Sequence, residues 1–379
     1  MTAVSQLEEL LQRIGYKLDL TPTQHQLAEE RYKSVGKWLQ EAQGVIGGRN
    51  TEIYPQGSMR LGTTVKPVKR EDREGKIFYQ EQKEYDLDFV YELNLRPEEN
   101  SPMAVLEALE KRLREHDGYK RMIERKKRCV RLVYSNEFHM DILPACSMSP
   151  HSTLIAIPDR ERRAWLSSNP KGFASWFEGR AGQGKKEFLE SIQPLPDHTY
   201  AKPPLVRVVQ LLKRWRDHSF NKEMAPCSIL LTTLAGYLFQ GEIGILDALH
   251  SFTTRLKSEI GQSNRVLRVS NPTNPGEIFS EQWEKFPASY REFCVQVQSL
   301  GEQIDQLLKN PGLEKAQDIF KNLFGEASVK DALKDSALAL QKLREEGRLR
   351  VDVKTGILGA AAVRSVAVKP NNFFGNEIL

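Results

Sequence analysis

Three aspartates and a glycine-serine turn are the residues of this chain whose types and order could do chemistry. Gln56-Gly57-Ser58 is followed, after a charged interval, by Tyr85-Asp86-Leu87-Asp88-Phe89 and later by His139-Met140-Asp141-Ile142-Leu143. In an extended strand alternate side chains share a face, so Asp86 and Asp88 point the same way while Leu87, Phe89 and Val90 are available to a core. Asp141 sits in a second apolar run that could bring its carboxylate beside them; Glu137 is the nearby rival, and apolar flanks on both sides favour Asp141. Like charges about 4 Å apart repel by roughly 4 kcal/mol at an effective dielectric near 20, so such a trio asks for cations. The expected ion is Mg²⁺, which takes carboxylate and phosphate oxygens. Two Mg²⁺ ions, with Mn²⁺ as the alternative, held by Asp86, Asp88 and Asp141, would flank an α-phosphorus. One would activate a ribose hydroxyl and the other would stabilise departing pyrophosphate, with Asp141 helping to take the hydroxyl proton. Glycine at 57 lets the backbone approach an anion closely, and Gln56, the Ser58 hydroxyl and the amides that follow would donate to phosphate oxygens.

The elements that must carry these groups are legible on either side. Thr21-Pro22 reads as a helix start, and Ala28, Tyr32, Val35, Leu39 and Ala42 draw one apolar stripe along a long brace helix. Gly44, Gly47 and Gly48 end it, and Thr51 to Tyr54 reads as a strand delivering the chain to Gln56. The charged stretch from Lys66 to Glu84 reads as an exposed loop or hairpin. Ser101-Pro102 caps another helix with Met103, Leu106, Leu109 and Leu113 on its apolar face, and Cys129 to Tyr134 and Phe138 to Leu143 form two strands joined at Ser135-Asn136. From Pro203 onward the pattern is helical, with a hinge at 178 to 204. The expected class is α+β, divided into a catalytic lobe with its brace helix at 1–180, a helical lobe at 181–330, and a helix and tail at 331–379.

Composition narrows the setting. A chain of 379 residues is long enough for about two domains. Fifty-five basic against fifty acidic residues leave a net charge of +5, which suits anionic ligands without demanding nucleic acid. Cys129, Cys146, Cys227 and Cys294 lie far apart with no CxxC pair, so they read as buried free thiols. The absence of a secretory pattern points to the cytoplasm. The apolar run Ile229 to Phe239 is too short for a bilayer and reads as a buried helix, so no membrane partner is expected.

Gly-Ser, then Asp-x-Asp on a strand, then a third Asp on a later strand resembles the DNA polymerase β-like nucleotidyltransferases. The likeness extends to about residue 325. Leu211-Leu212-Lys213-Arg214-Trp215 and Pro226-Cys227-Ser228-Ile229-Leu230-Leu231 resemble the lysine helix and serine-led helix of oligoadenylate synthases and their bacterial relatives. Asn271-Pro272-Thr273-Asn274-Pro275 is similar to their segment before the last helices, and Leu323-Phe324-Gly325 to a frequent ending. The nearest resemblance is to the cGAS/DncV-like enzymes of bacterial anti-phage signalling. It implies a polymerase β-like lobe plus a helical lobe that join nucleoside triphosphates into a cyclic di- or trinucleotide, ATP first, with GTP or pyrimidine nucleotides as further substrates. It also implies triphosphate contacts from Gln56, Gly57, Ser58, Lys213 and Ser228, metal ligation by the three aspartates, an effector protein that senses the product, and a regulatory protein acting on the C-terminal tail. The interval between Ser58 and Asp86 exceeds the family's usual length, so residues 66 to 84 are treated as an insertion. A template-independent RNA or tRNA nucleotidyltransferase and a catalytically silent nucleotide-binding module are the alternatives.

Other features carry less. Gly179-Arg180-Ala181-Gly182-Gln183-Gly184-Lys185 has P-loop spacing, but Lys186 stands where Ser or Thr is needed. Arg125 to Arg128 with Arg160, Arg162 and Arg163 reads as a solvated face rather than a nucleic-acid track, for want of interleaved aromatics. His139, two residues from Asp141 on the same strand face, reads as structural, with a place bordering the site as the alternative, and Trp165, Trp176 and Phe177 read as core.

Overall fold

The apolar stripes fold into the elements their periods predict. The computed structural model describes residues 3–47, 50–67, 69–71, 77–79, 85–135, 137–149, 152–184, 191–199, 201–263, 265–352, 358–359 and 365–368. The chain opens with α1 (Ala3–Leu18) and α2 (Pro22–Gln40), then β1 (Glu52–Gln56) and the one-turn α3 (Gly57–Arg60). β2 (Lys69–Glu71) and β3 (Ile77–Tyr79) pair as a hairpin before β4 (Tyr85–Leu93), so part of the charged interval is a hairpin; the rest lies outside the described residues. α4 (Pro102–Arg114), β5 (Ile123–Arg125), β6 (Val130–Tyr134), β7 (Phe138–Ser147), β8 (Ile155–Asp159), β9 (Ala164–Ser168) and α5 (Pro170–Arg180) follow. The second half holds α6 (Pro204–Ser219), α7 (Ser228–Leu238), α8 (Ile245–Gln262), the hairpin β10 (Ser270–Asn271) and β11 (Asn274–Ile278), then α9 (Glu281–Lys285), α10 (Pro287–Leu308), α11 (Leu313–Phe324) and α12 (Glu326–Glu345). A small sheet of β12 (Arg350–Asp352), β13 (Leu358–Gly359) and β14 (Ser365–Ala367) ends the described chain. Val366, within the helix and tail expected at 331–379, pairs with Val351 in that sheet; Pro370, Asn371 and Asn372 lie outside the described residues.

The main sheet runs β1-β4-β7-β6-β5, with β8 on the far end of β7 and β9 on β8. β4 and β7 are parallel, while β1–β4 and β6–β7 are antiparallel, so the sheet is mixed and the α+β class holds. Alternation decides which face is wet. Tyr85, Leu87, Phe89, Tyr91 and Leu93 of β4 share a core with Tyr32, Val35 and Leu39 of α2 and Val105, Leu109 and Leu113 of α4. The opposite face carries Asp86 and Asp88. Val90, on that same face, is buried in a smaller cluster with Tyr54, Leu143 and Ile157. α2 starts where the sequence indicated: Thr21 accepts from the Gln24 amide and the Gln24 side chain accepts from the Thr21 amide, a reciprocal cap.

A second core joins the helices after residue 203 to two earlier ones. Leu7, Leu11, Ile14 and Leu18 of α1 and Phe173 and Phe177 of α5 pack with Leu205, Val209, Leu212 and Trp215 of α6 and with α7, α8, α10 and α11. α1 thus precedes the sheet in sequence but packs with the helical layer, as does α5. Ser228–Leu238 forms the helix expected of the long apolar run, and among the described residues no helix is long and apolar enough to cross a membrane. All four cysteines are free; only Cys146 is buried, and Cys227 is exposed, contrary to the reading of four buried thiols.

Candidate active site

Register brings the chemistry-bearing residues together. Asp88 of β4 lies directly across from Gln56 on β1 and from Asp141 on β7, and Asp86 lies across from His139. Three neighbouring strands thereby set Gln56, Asp88 and Asp141 in one row. Gly57 follows Gln56 with φ +60° and opens α3. A Cβ there would sit 2.8 Å from Asp88 Oδ2, so only glycine leaves that space open while adopting the left-handed backbone. Burial, with Asp141 and Asp86 nearby, pushes the Asp88 carboxyl up to about 8. Burial also raises Asp86, against the opposing pull of Arg131.

That arginine is the residue the sequence reading missed. Arg131 on β6 is the register partner of Asp141. Its Nε and Nη2 donate to the two oxygens of Asp141 at 2.6 and 2.8 Å, and Nη2 also reaches Asp86 Oδ1 at 3.4 Å. Nη1 lies 3.3 Å from Nδ1 of His139. The bidentate pair holds the guanidinium above its ordinary range. Among the described residues no three or more His, Cys, Asp or Glu are grouped closely enough to hold a metal ion. Asp88 and Asp141 stand across from one another, and Arg131 links Asp141 to Asp86, so a protein cation lies among the three carboxylates.

Lys213 comes from α6, 4% exposed, and its Nζ donates to the Thr63 carbonyl at 3.0 Å and the Thr63 hydroxyl at 3.1 Å. Thr63 in turn donates its amide to the Ser58 carbonyl at 2.9 Å, and the Thr64 hydroxyl donates to Ser58 Oγ at 3.2 Å. Lys213 and Ser58 are thus two contacts apart. Burial first, then the nearby Arg216, push the Lys213 amine down to about 7. Ser228 is the first residue of α7 and makes no cap; its hydroxyl accepts from Arg216.

Relatives decide the family. The profile of the Second Messenger Oligonucleotide or Dinucleotide Synthetase domain matches residues 1–180. A c-di-GMP synthase of Roseivirga ehrenbergii is 34% identical over 384 aligned residues, covering 99% of this chain and 98% of its own. The chain belongs to the cGAS/DncV-like cyclic-oligonucleotide synthases. Its fold matches the Bradyrhizobium diazoefficiens synthase CdnG in complex with GTP, with a TM-score of 0.67 at 23% identity over 88% of this chain and 99% of that one. The Vibrio cholerae DncV cyclic AMP-GMP synthase in complex with nonhydrolyzable GTP gives 0.54 at 16% identity, covering 86% and 88%.

In this synthase a buried ionic network fixes the loop that follows Ser58, between residues too far apart in the chain to leave a local sequence signal. Asp19, 2% exposed, accepts from Lys202 at 2.6 Å, Arg207 at 2.8 Å and Gln210 at 2.7 Å. Gln210 also donates to the Thr64 carbonyl at 2.8 Å, Lys202 to the Gly62 carbonyl at 2.8 Å, and Arg214 to the Lys66 carbonyl at 2.8 Å. Positions 207, 210, 213 and 214 share one side of α6, so one polar stripe holds residues 62–66 and delivers Lys213. After the Gly57-Ser58 turn, Arg60 pairs with Glu178 of α5.

A cavity of about 510 Å³ contains Gln56 and Gly57 and is closed by β9, the start of α5, and the β10–β11 hairpin. Arg128 and Arg162 line it. The basic run of that surface is committed locally, Arg128 included: Arg125 to Glu110 at 2.7 Å, Lys126 to Glu124 at 2.8 Å, Lys127 to Glu161, and Arg128 to Asp159 at 3.1 Å. The P-loop-like run follows the end of α5 rather than a strand; Lys185 and Lys186 lie outside the described residues.

Proposed function

We propose that this synthase joins two molecules of GTP into cyclic di-GMP in the cleft between the sheet and the helical layer, as a second messenger of anti-phage defence read by a separate effector protein. The observation that carries the reading is the cross-strand row of Gln56, Asp88 and Asp141 beside Gly57-Ser58, with Lys213 delivered to the same turn. GTP replaces the ATP expected from sequence, because the relative aligned over nearly the whole chain is a c-di-GMP synthase. The four free thiols suit a reducing cytoplasm.

The donor set suits a divalent cation in kind. Asp86, Asp88 and Asp141 offer hard oxygens on one sheet face, Gly57 leaves the space against Asp88 unfilled, and Arg131 stands as a positive charge among them. These three residues would hold Mg²⁺. When bound, the metal would supply the Lewis acidity that lowers the pKa of a ribose hydroxyl and offsets charge on departing pyrophosphate. Gln56, Ser58 and Lys213 hold the triphosphate, with Ser228 at the head of α7 as a further contact once Arg216 yields its hydroxyl. The attacking ribose oxygen bonds to the α-phosphorus, its proton passes to Asp141, and pyrophosphate leaves. A second such step between the ends of the linear dinucleotide closes the ring.

Incubating the protein with Mg²⁺ and each labelled nucleoside triphosphate, alone and in pairs, followed by phosphatase treatment and mass spectrometry, tests this. GTP alone should yield a phosphatase-resistant product with the mass of cyclic di-GMP, and the double variant Asp86→Asn, Asp88→Asn should yield none. Extension of RNA in place of a cyclic product, or full synthesis by the double variant, would overturn the proposal.

A further inference from the structure

The cavity that begins at Gln56 and Gly57 has a far wall unlike a phosphate site. Ser168 of β9, Asn271 and Asn274 of the β10–β11 hairpin, Glu277 and Phe279 line it. Glu277 is a half-buried carboxylate held by neutral donors. Asn271 Nδ2 donates to Oε2 at 2.8 Å, and the Ser168 hydroxyl stands 3.3 and 3.4 Å from its two oxygens. Among the described residues no cation pairs with it. A carboxylate has about four acceptor positions, so this one keeps acceptor capacity for a ligand while its orientation is fixed from both sides. Beside it, Asn274 Nδ2 is a buried donor with no hydrogen-bond partner among the described residues. Buried donors are rarely left unmade without a reason such as a ligand or water.

Resting on the reading above that nucleoside triphosphates bind with their phosphates at Gln56 to Ser58, the geometry points to Glu277 as the residue that selects guanine. Guanine presents two adjacent donors, N1–H and the 2-amino group, which a carboxylate accepts as a parallel pair. Its O6 and N7 are acceptors suited to an amide donor such as Asn274 Nδ2. Adenine turns the lone pair of N1 toward the same carboxylate, and lone pair against carboxylate is repulsive. Phe279 supplies apolar surface for the purine plane. Ser168 and Asn271 are positioning residues, since they touch the carboxylate and hold its oxygens toward the cavity.

Inosine triphosphate separates this from general purine affinity, because it differs from GTP only in lacking the 2-amino group. Calorimetric titration of GTP, ITP and ATP into the full chain, with Ca²⁺ replacing Mg²⁺ to slow turnover, should give GTP binding tenfold to a hundredfold tighter than ITP, the range of one hydrogen bond to a charged acceptor. ATP should bind more weakly still. Glu277→Gln keeps the shape but removes the charge and turns one of the two acceptor oxygens into a donor, which breaks the parallel pair, and should bring the GTP-to-ITP ratio close to one. Asn271→Ala should give an intermediate ratio with no change of charge. Wild type binding ITP as tightly as GTP overturns the inference without any variant, as does an unaltered ratio in a folded Glu277→Gln. Discrimination without any cyclic product would sustain guanine selection and overturn the synthase reading; a cyclic product without discrimination would do the reverse. No binding of GTP would overturn both.

Discussion

Lys213→Met asks whether the buried amine on α6 receives the triphosphate. Burial pushes this lysine down to about 7 in the free protein, so at pH 8 only about one molecule in ten carries the proton. Phosphate oxygens favour the charged form, and a return to about 10 on binding would protonate nearly all molecules. GTP binding at pH 8 should therefore take up about 0.9 proton, falling to about 0.5 at pH 7 and near zero at pH 6. Because the bound state holds more protons, raising the pH above 7 should weaken GTP binding. Calorimetry in buffers of differing ionisation enthalpy reads the uptake directly. Lys213→Met should abolish it and weaken GTP by roughly tenfold to a hundredfold, the range for a charge-assisted contact. An uptake near zero at pH 8, or one equal in the variant, would refute the reasoning. The same shift has a sign for stability. The folded value lies below the unfolded one near 10.4, so the unfolded chain binds more protons between about 7 and 10, and this lysine's penalty on folding is relieved as pH rises through that window. The methionine variant should lose that share of the pH dependence in thermal melts.

Arg131→Met removes the cation that competes for Asp141, so Mn²⁺ binding followed by electron paramagnetic resonance should tighten by about tenfold, while the metal-free protein melts lower. Unchanged Mn²⁺ affinity would show that the guanidinium does not occupy the cation's place. Gly57→Ala demands a left-handed backbone at about 1–2 kcal/mol and sets a methyl 2.8 Å from Asp88 Oδ2; product formation should fall far more than the melting temperature, and an active variant would contradict the close approach. Asp19→Ala leaves Arg207, Lys202 and Gln210 without their shared acceptor, at a cost of about 3–5 kcal/mol for a broken buried pair, visible as a lowered denaturation midpoint. A shift of less than about 1 kcal/mol, the scale of an exposed pair, would argue that water reaches that network.

The row of acidic residues on β4 was legible because strand alternation is a local signal. Asp86 and Asp88 fall on one face by counting, and the apolar residues between them find the core formed with α2 and α4. The Thr21 cap and the glycine at 57 are local signals too, since each meets a backbone requirement within a few residues. Arg131 was not legible. It lies in the strand Cys129 to Tyr134 as one polar residue among apolar ones, and only the antiparallel register of β6 on β7 sets it across from Asp141. Asp19 is equally silent in sequence, because its partners stand about 190 positions away on α6. α1 was passed over in the sequence reading, and its apolar stripe could not have told which core it joins. The β10–β11 hairpin was seen only as a proline-containing segment, yet it carries Asn271 and Glu277 into the cavity that holds Gln56.

The proposed synthesis requires that Asp86, Asp88 and Asp141 hold divalent ions at a triphosphate gripped by Gly57-Ser58 and Lys213. Anomalous scattering from Mn²⁺ in crystals grown with a nonhydrolysable GTP analogue measures this directly. That arrangement requires manganese peaks within ligand distance of all three carboxylates, with Arg131 turned away from Asp141 and the analogue's phosphates against Ser58. Manganese bound elsewhere, with Arg131 still on both oxygens of Asp141, would contradict it.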